Sequence, residues 1–104
     1  MSQVKFKTTC EGRPVEVVAG WDDPLEGFHL TVFNLADNAE EECLYDNLRD
    51  QVCLPTGGFM PTTEHFREVL KGLDIGVPEE FWPRVELRQG NTIHEFDGED
   101  WVIY

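Results

Sequence analysis

The sequence predicts an α+β fold: an antiparallel β-sheet with two α-helices packed on one face and a closing C-terminal β-hairpin. Three observations carry this expectation. Two runs between Val15 and Asn34 alternate with period two, residues Pro61 to Leu73 hold an apolar stripe at helical spacing, and Asp97-Gly98 separates two short strand-like runs.

The first strand is Val4, Phe6 and Thr8 alternating with Lys5 and Lys7, followed by turn chemistry at Glu11-Gly12-Arg13-Pro14. It forms an opening hairpin with the next run, placing the two lysines across from Glu16 in a pairing worth about 0.2–1 kcal/mol. In that run Val15, Val17 and Ala19 share a face, and in the following one Phe28, Leu30 and Val32 do the same. Val18 and Phe33 fall on the opposite faces, so both strands are expected to be central, with helices covering the second side. Between them lies Trp21-Asp22-Asp23-Pro24. Pro24 cannot donate a ladder hydrogen bond, and Gly20 and Gly27 bracket the break as backbone-permissive positions.

Leu35 to Glu42 gathers five acidic or amide residues, a surface connection held out by like-charge repulsion. Cys43 to Leu48 reads as a short strand, and Arg49 to Pro61, with Gly57-Gly58, as a loop tacked down by Val52, Leu54, Phe59 and Met60. The first helix follows, N-capped by Thr62 or Thr63, with Phe66, Val69, Leu70 and Leu73 on its buried side and Lys71 and Gly72 at its end. A second helix is expected from Val77-Pro78-Glu79-Glu80 to about Gln89, stopped by Gly90-Asn91. Arg84 to Arg88 also fits a strand, because Val85 and Leu87 alternate. Thr92 to Phe96 and Glu99 to Tyr104 form the closing hairpin.

With 104 residues the chain is one domain, residues 1–104, and 40% apolar content places it among folded globules despite a net charge of −13. Twenty-one acids against eight bases disfavour direct nucleic-acid binding and anionic membranes, both of which require basic patches. A protein partner with a basic or apolar surface fits better. No apolar run reaches the length of a membrane span, MSQVKFKTT lacks a signal-peptide core, and three cysteines without CxxC pairing suit a reducing compartment. The expected location is cytoplasmic.

Gly20-Trp21-Asp22 with Pro24-Leu25 and Phe28, then Leu44-Tyr45, Asn47-Leu48 and Gly76-Val77-Pro78, resemble a group of small uncharacterised bacterial proteins that share a GWDxPL motif. The resemblance spans most of the chain and implies a bacterial origin. It carries over no activity, cofactor or functional residue.

His29, His65, His94 and the three cysteines lack the paired spacing of structural zinc sites, so neither a metal nor a cofactor is predicted; two buried thiols and solvent-facing imidazoles are expected instead. Cys43 lies beside Glu40 to Glu42, whose field disfavours a thiolate, so no cysteine is singled out as a nucleophile. Asp22 and Asp23, with Glu26, have the makings of an acid-base pair, although Asp before Pro is first of all turn chemistry. Asp97-Gly98-Glu99-Asp100 lacks the ligand ladder of a calcium loop.

The tryptophans stand out, because Trp is enriched at binding hot spots. If Trp21 or Trp82 lies exposed beside the loop Pro55 to Pro61, an acid-rimmed apolar patch results. The residues expected to bind are therefore Trp21, Asp22, Asp23, Phe59, Met60 and Trp82. The leading expectation is a non-enzymatic protein-protein interaction module. The alternative is an acidic DNA mimic that inhibits a nucleic-acid-binding protein, and the third a small hydrolase using Asp22 and Asp23, which requires a pocket enclosing them or His29.

Overall fold

The computed structural model describes residues 2–36, 43–88 and 92–104. Its strands are β1 (Gln3–Cys10), β2 (Arg13–Asp22), β3 (Gly27–Asn34), β4 (Cys43–Asp46), β5 (Ile93–Phe96) and β6 (Trp101–Ile103). Two helices, α1 (Glu64–Gly72) and α2 (Phe81–Glu86), lie between β4 and β5 in the chain. The strands form one sheet in the order β4-β3-β2-β1-β5-β6.

Local hairpins build most of this sheet. Glu11 and Gly12 both take positive φ, 52° and 80°, closing the β1–β2 hairpin in the left-handed conformations whose twist suits adjacent strands. Lys7 then stands opposite Glu16 as expected, whereas Lys5 stands opposite Val18. β2 and β3 pair from Val15↔Asn34 to Asp22↔Gly27, so the Asp22–Gly27 connection is a hairpin turn.

The expectation of a purely antiparallel sheet is corrected at one seam, where β5 runs parallel to β1 with Val4 opposite His94. Every other pair joins strands that follow each other in the chain, and each is antiparallel. β5 is reached only after the helical segments have carried the chain from the β4 edge to the β1 side, and a crossover of that length permits parallel pairing.

One face of the sheet holds the core. Val4, Val15, Val17, Ala19, Leu30 and Val32 pack there against Phe66 and Leu70 of α1 and Phe81, Trp82 and Val85 of α2. On α1 the predicted stripe is seated as expected, with Phe66 and Leu70 buried and Val69 and Leu73 packed at the margin. Thr63 occupies the N-cap position as predicted, but its side chain makes no capping bond. The Thr63 hydroxyl donates to Glu86 Oε1 at 2.7 Å and so ties the start of α1 to the end of α2.

The second helix begins at Phe81 rather than Pro78 and ends at Glu86, short of Gln89; the predicted Gly90-Asn91 cap lies outside the described residues. Pro83 sits in the first turn, where a missing N–H costs no helical bond. Arg84 to Glu86 are helical, which excludes the strand reading for them. β4 stops at Asp46, and Asn47–Arg49 turn into a 3-10 helix capped by the Asp46 carboxylate, so the predicted strand to Leu48 is shorter than expected. The predicted Leu35–Glu42 connection lies mostly outside the described residues. Among the described residues no helix is long and apolar enough to cross a membrane.

Candidate functional site

Both described helices pack on the core face, as expected, and no described helix covers the opposite face of the sheet. Its centre is built by the period-two residues that the core does not take. Val18 on β2 pairs with Thr31 on β3, and Glu16 with Phe33. Around the buried Val18 floor the apolar side chains of Phe33, Leu35 and Leu48 are 38%, 44% and 57% exposed, and Lys5, Glu16 and Asp46 stand among them. The hollow is about 680 Å³, within the range of about 300–1,000 Å³ usual for binding clefts.

One wall of this hollow is Phe59, and two contacts hold it. A Cβ on Gly27 would lie 2.5 Å from the Cβ of Phe59, so the glycine is required for close approach rather than for a permissive backbone. Met60 pairs with Phe28, its carbonyl accepting from the Phe28 amide at 2.7 Å. Asn47 secures the far end. Its Oδ1 accepts from the Leu30 amide at 3.2 Å, continuing the ladder beyond β4, while Nδ2 donates to the Gly58 carbonyl at 2.5 Å.

The structure separates most of the residues expected to bind from this surface. Trp21 and Trp82 are only 9% and 8% exposed and belong to the core, so the condition for a tryptophan patch is not met. Trp21 meets Phe28 edge-on, with the Arg88 guanidinium 4.3 Å from its ring centroid. Phe59 and Asp22 are buried, Met60 is half-buried and Asp23 is exposed.

Asp22 performs turn chemistry, while the Asp23 carboxylate holds the Trp21 side chain. Asp22 Oδ1 accepts from the Leu25 amide at 3.1 Å, and Asp23 Oδ1 accepts from the Trp21 indole N–H at 2.7 Å. His29 lines the hollow but is buried, and its Nε2–H donates to the Ser2 carbonyl at 3.2 Å. Burial pushes this imidazole below its ordinary value against the opposing pull of the Ser2 bond and Asp22. Asp97 likewise accepts from the Glu99 and Asp100 amides, as a hairpin turn does.

The expectation of solvent-facing imidazoles is corrected as well, because His29 and His94 are buried and His65 is half-buried. Cys10 and Cys53 are the two buried thiols expected.

On the core side of the sheet, β4, the loop after it and the first turn of α1 converge on a polar cluster. Asp50 Oδ2 accepts from the Tyr45 hydroxyl at 2.5 Å and pairs with His65 Nε2 at 2.7 Å, while its Oδ1 accepts from the Val52 amide. These donors hold Asp50 below the usual carboxylate range, the Tyr45 hydroxyl contributing most. The Tyr45 hydroxyl is driven up by burial, then by Asp50 and Cys53. Burial also pushes the Cys53 thiol up, and the Asp50 charge adds to it.

One ligand-capable atom from each of Asp50, Cys53 and His65 lies within 4.8 Å of the others. A search for cysteine and histidine pairs passes over this group, since two of its members are Asp50 and Cys53, a carboxylate three residues before a thiol. That short spacing was the available signal. No protein-family model matches the chain, and comparison with curated proteins and with solved structures gives no match.

Proposed function

We propose that this chain is a non-enzymatic protein-interaction module that seats an amphipathic, basic helix of a partner protein on the face of its sheet that no described helix covers. The observation that supports this reading is the set of apolar side chains, Phe33, Leu35 and Leu48, exposed around the concave Val18 floor. Burying such side chains contributes about 25 cal/mol per Å² of apolar surface removed from water. A helix with one apolar face is a regular occupant of a shallow apolar groove. The basic character of the partner follows from complementarity: Glu16 and Asp46 line the hollow beside Lys5, and the chain carries a net charge of −13.

The test is an NMR titration of the labelled chain with a synthetic amphipathic leucine-lysine helix at low and high salt. Saturable shifts are expected at Val18, Thr31, Phe33 and Leu48, retained at high salt and weakened at least about tenfold, roughly 1.4 kcal/mol, by Phe33→Ser with Leu48→Ser. Absence of saturable shifts overturns the reading. Binding that vanishes at high salt and ignores those substitutions overturns it in favour of the acidic surface and nucleic-acid mimicry.

A further inference from the structure

We infer that Asp50, Cys53 and His65 form a zinc site, with the Tyr45 hydroxyl holding Asp50 from outside. The three side chains come from two elements fixed relative to each other. Asp50 and Cys53 flank a turn closed by the Cys53 amide donating to the Asp50 carbonyl at 3.0 Å, and His65 is the second residue of α1.

Bonds of about 2.0–2.3 Å to a tetrahedral zinc place ligand atoms about 3.5 Å apart. The present atoms bracket that spacing, with 2.7 Å between His65 and Asp50 and at most 4.8 Å for any pair. Metal binding on this geometry opens the His65–Asp50 contact and draws the most distant ligand atoms together.

The donor set selects the metal. One thiolate, one imidazole and one carboxylate form a mixed sulfur, nitrogen and oxygen site, whereas calcium and magnesium require oxygen-rich shells. Three protein ligands leave the fourth tetrahedral position to water. A dication with carboxylate, thiolate and neutral imidazole also sums to zero charge, the arrangement tolerated in a largely buried site. Binding is balanced by one proton: the Cys53 S–H bond breaks, the sulfur–metal bond forms and the proton leaves to solvent.

Burial distinguishes this role from nucleophilic catalysis. Cys53 is fully buried and out of a substrate's reach, while His65 and Asp50 side chains retain 25% and 14% exposure and give a metal its way in.

The experiment titrates the chelator-treated, reduced full chain with cobalt(II), then with zinc. A thiolate-to-cobalt charge-transfer band saturating at one equivalent, with tetrahedral ligand-field absorption and release of one proton, is expected; zinc should abolish the band without further proton release. Cys53→Ser should remove the band, and Cys10→Ser with Cys43→Ser should keep it. His65→Gln, at a half-exposed position that leaves the core intact, should weaken cobalt binding by more than about 100-fold, exceeding the roughly 10–100-fold expected for loss of an outer partner in Tyr45→Phe. No charge-transfer band, a band that survives Cys53→Ser, or unchanged affinity in His65→Gln overturns the assignment and leaves a hydrogen-bond network that only fastens β4 to α1.

Discussion

A methyl group on Gly20 would lie 1.9 Å from the carbonyl oxygen of Ser2 and 2.8 Å from Nε2 of His29. The Ser2 segment is held against β2 by its amide donating to the Trp21 carbonyl and by its hydroxyl accepting from the Trp21 amide, at 2.9 and 3.0 Å. The clash is therefore with backbone that cannot swing aside. Gly20→Ala should destabilise the protein by at least about 1–3 kcal/mol, the usual cost of overpacking. Urea denaturation checks this, and an unchanged midpoint would refute the contact.

His29 should make stability depend on pH. Its folded-state pKa lies below the ordinary value of 6.5, with burial as the main cause. Above about pH 6.5 the ring is neutral folded and unfolded, and it contributes no pH dependence. As pH falls through that value the unfolded chain binds a proton that the folded one refuses, so stability drops until the folded pKa is passed. His94 acts in the same direction, lowered by burial and then by Arg84. The depressed carboxylates, Asp50 and Glu86, lose their contribution only below their ordinary values of 3.8 and 4.5, a separate and more acid window. His29→Gln keeps an N–H for the Ser2 carbonyl without a titrating ring. The loss of stability between pH 7 and 5 should be smaller in this variant than in the parent, as measured by denaturant midpoints.

Asn47→Ala should loosen the wall of the groove. The substitution bares the Leu30 amide and the Gly58 carbonyl, and each buried group left without a partner costs about 1–3 kcal/mol. Faster hydrogen exchange at the Leu30 amide is the specific signature. Protection equal to the parent's would show that the amide does not rely on Asn47.

Leu70→Ala addresses the core instead. Leu70 is buried on α1 among residues of both helices and the sheet, and its truncation should cost about 2–5 kcal/mol. The thermal melting curve reports it directly.

The candidate groove was partly legible. Val18 and Phe33 could be read as apolar residues on the wrong side of an alternating pattern, which marks a second surface but not whether helices cover it. Trp21 and Trp82 mislead for the opposite reason: a tryptophan's size fits either a hot spot or a core, and only packing chooses between them. Gly20 and Gly27 read in the sequence as backbone-permissive positions, but their neighbours Ser2 and Phe59 lie 18 and 32 positions away in the chain, so the close approach has no local signature.

The sequence by itself determined the elements whose causes are local: the period-two strands, the α1 stripe, the Glu11-Gly12 and Asp97-Gly98 turns, and the acidic charge. Side-chain periodicity and backbone preference act within a few residues, so they can be read without a fold. Only the tertiary structure decided the parallel β1–β5 seam, the face that no described helix covers and the meeting of Tyr45, Asp50, Cys53 and His65. Each depends on where a helical crossover sets down the chain, and that is fixed by burial of the core as a whole.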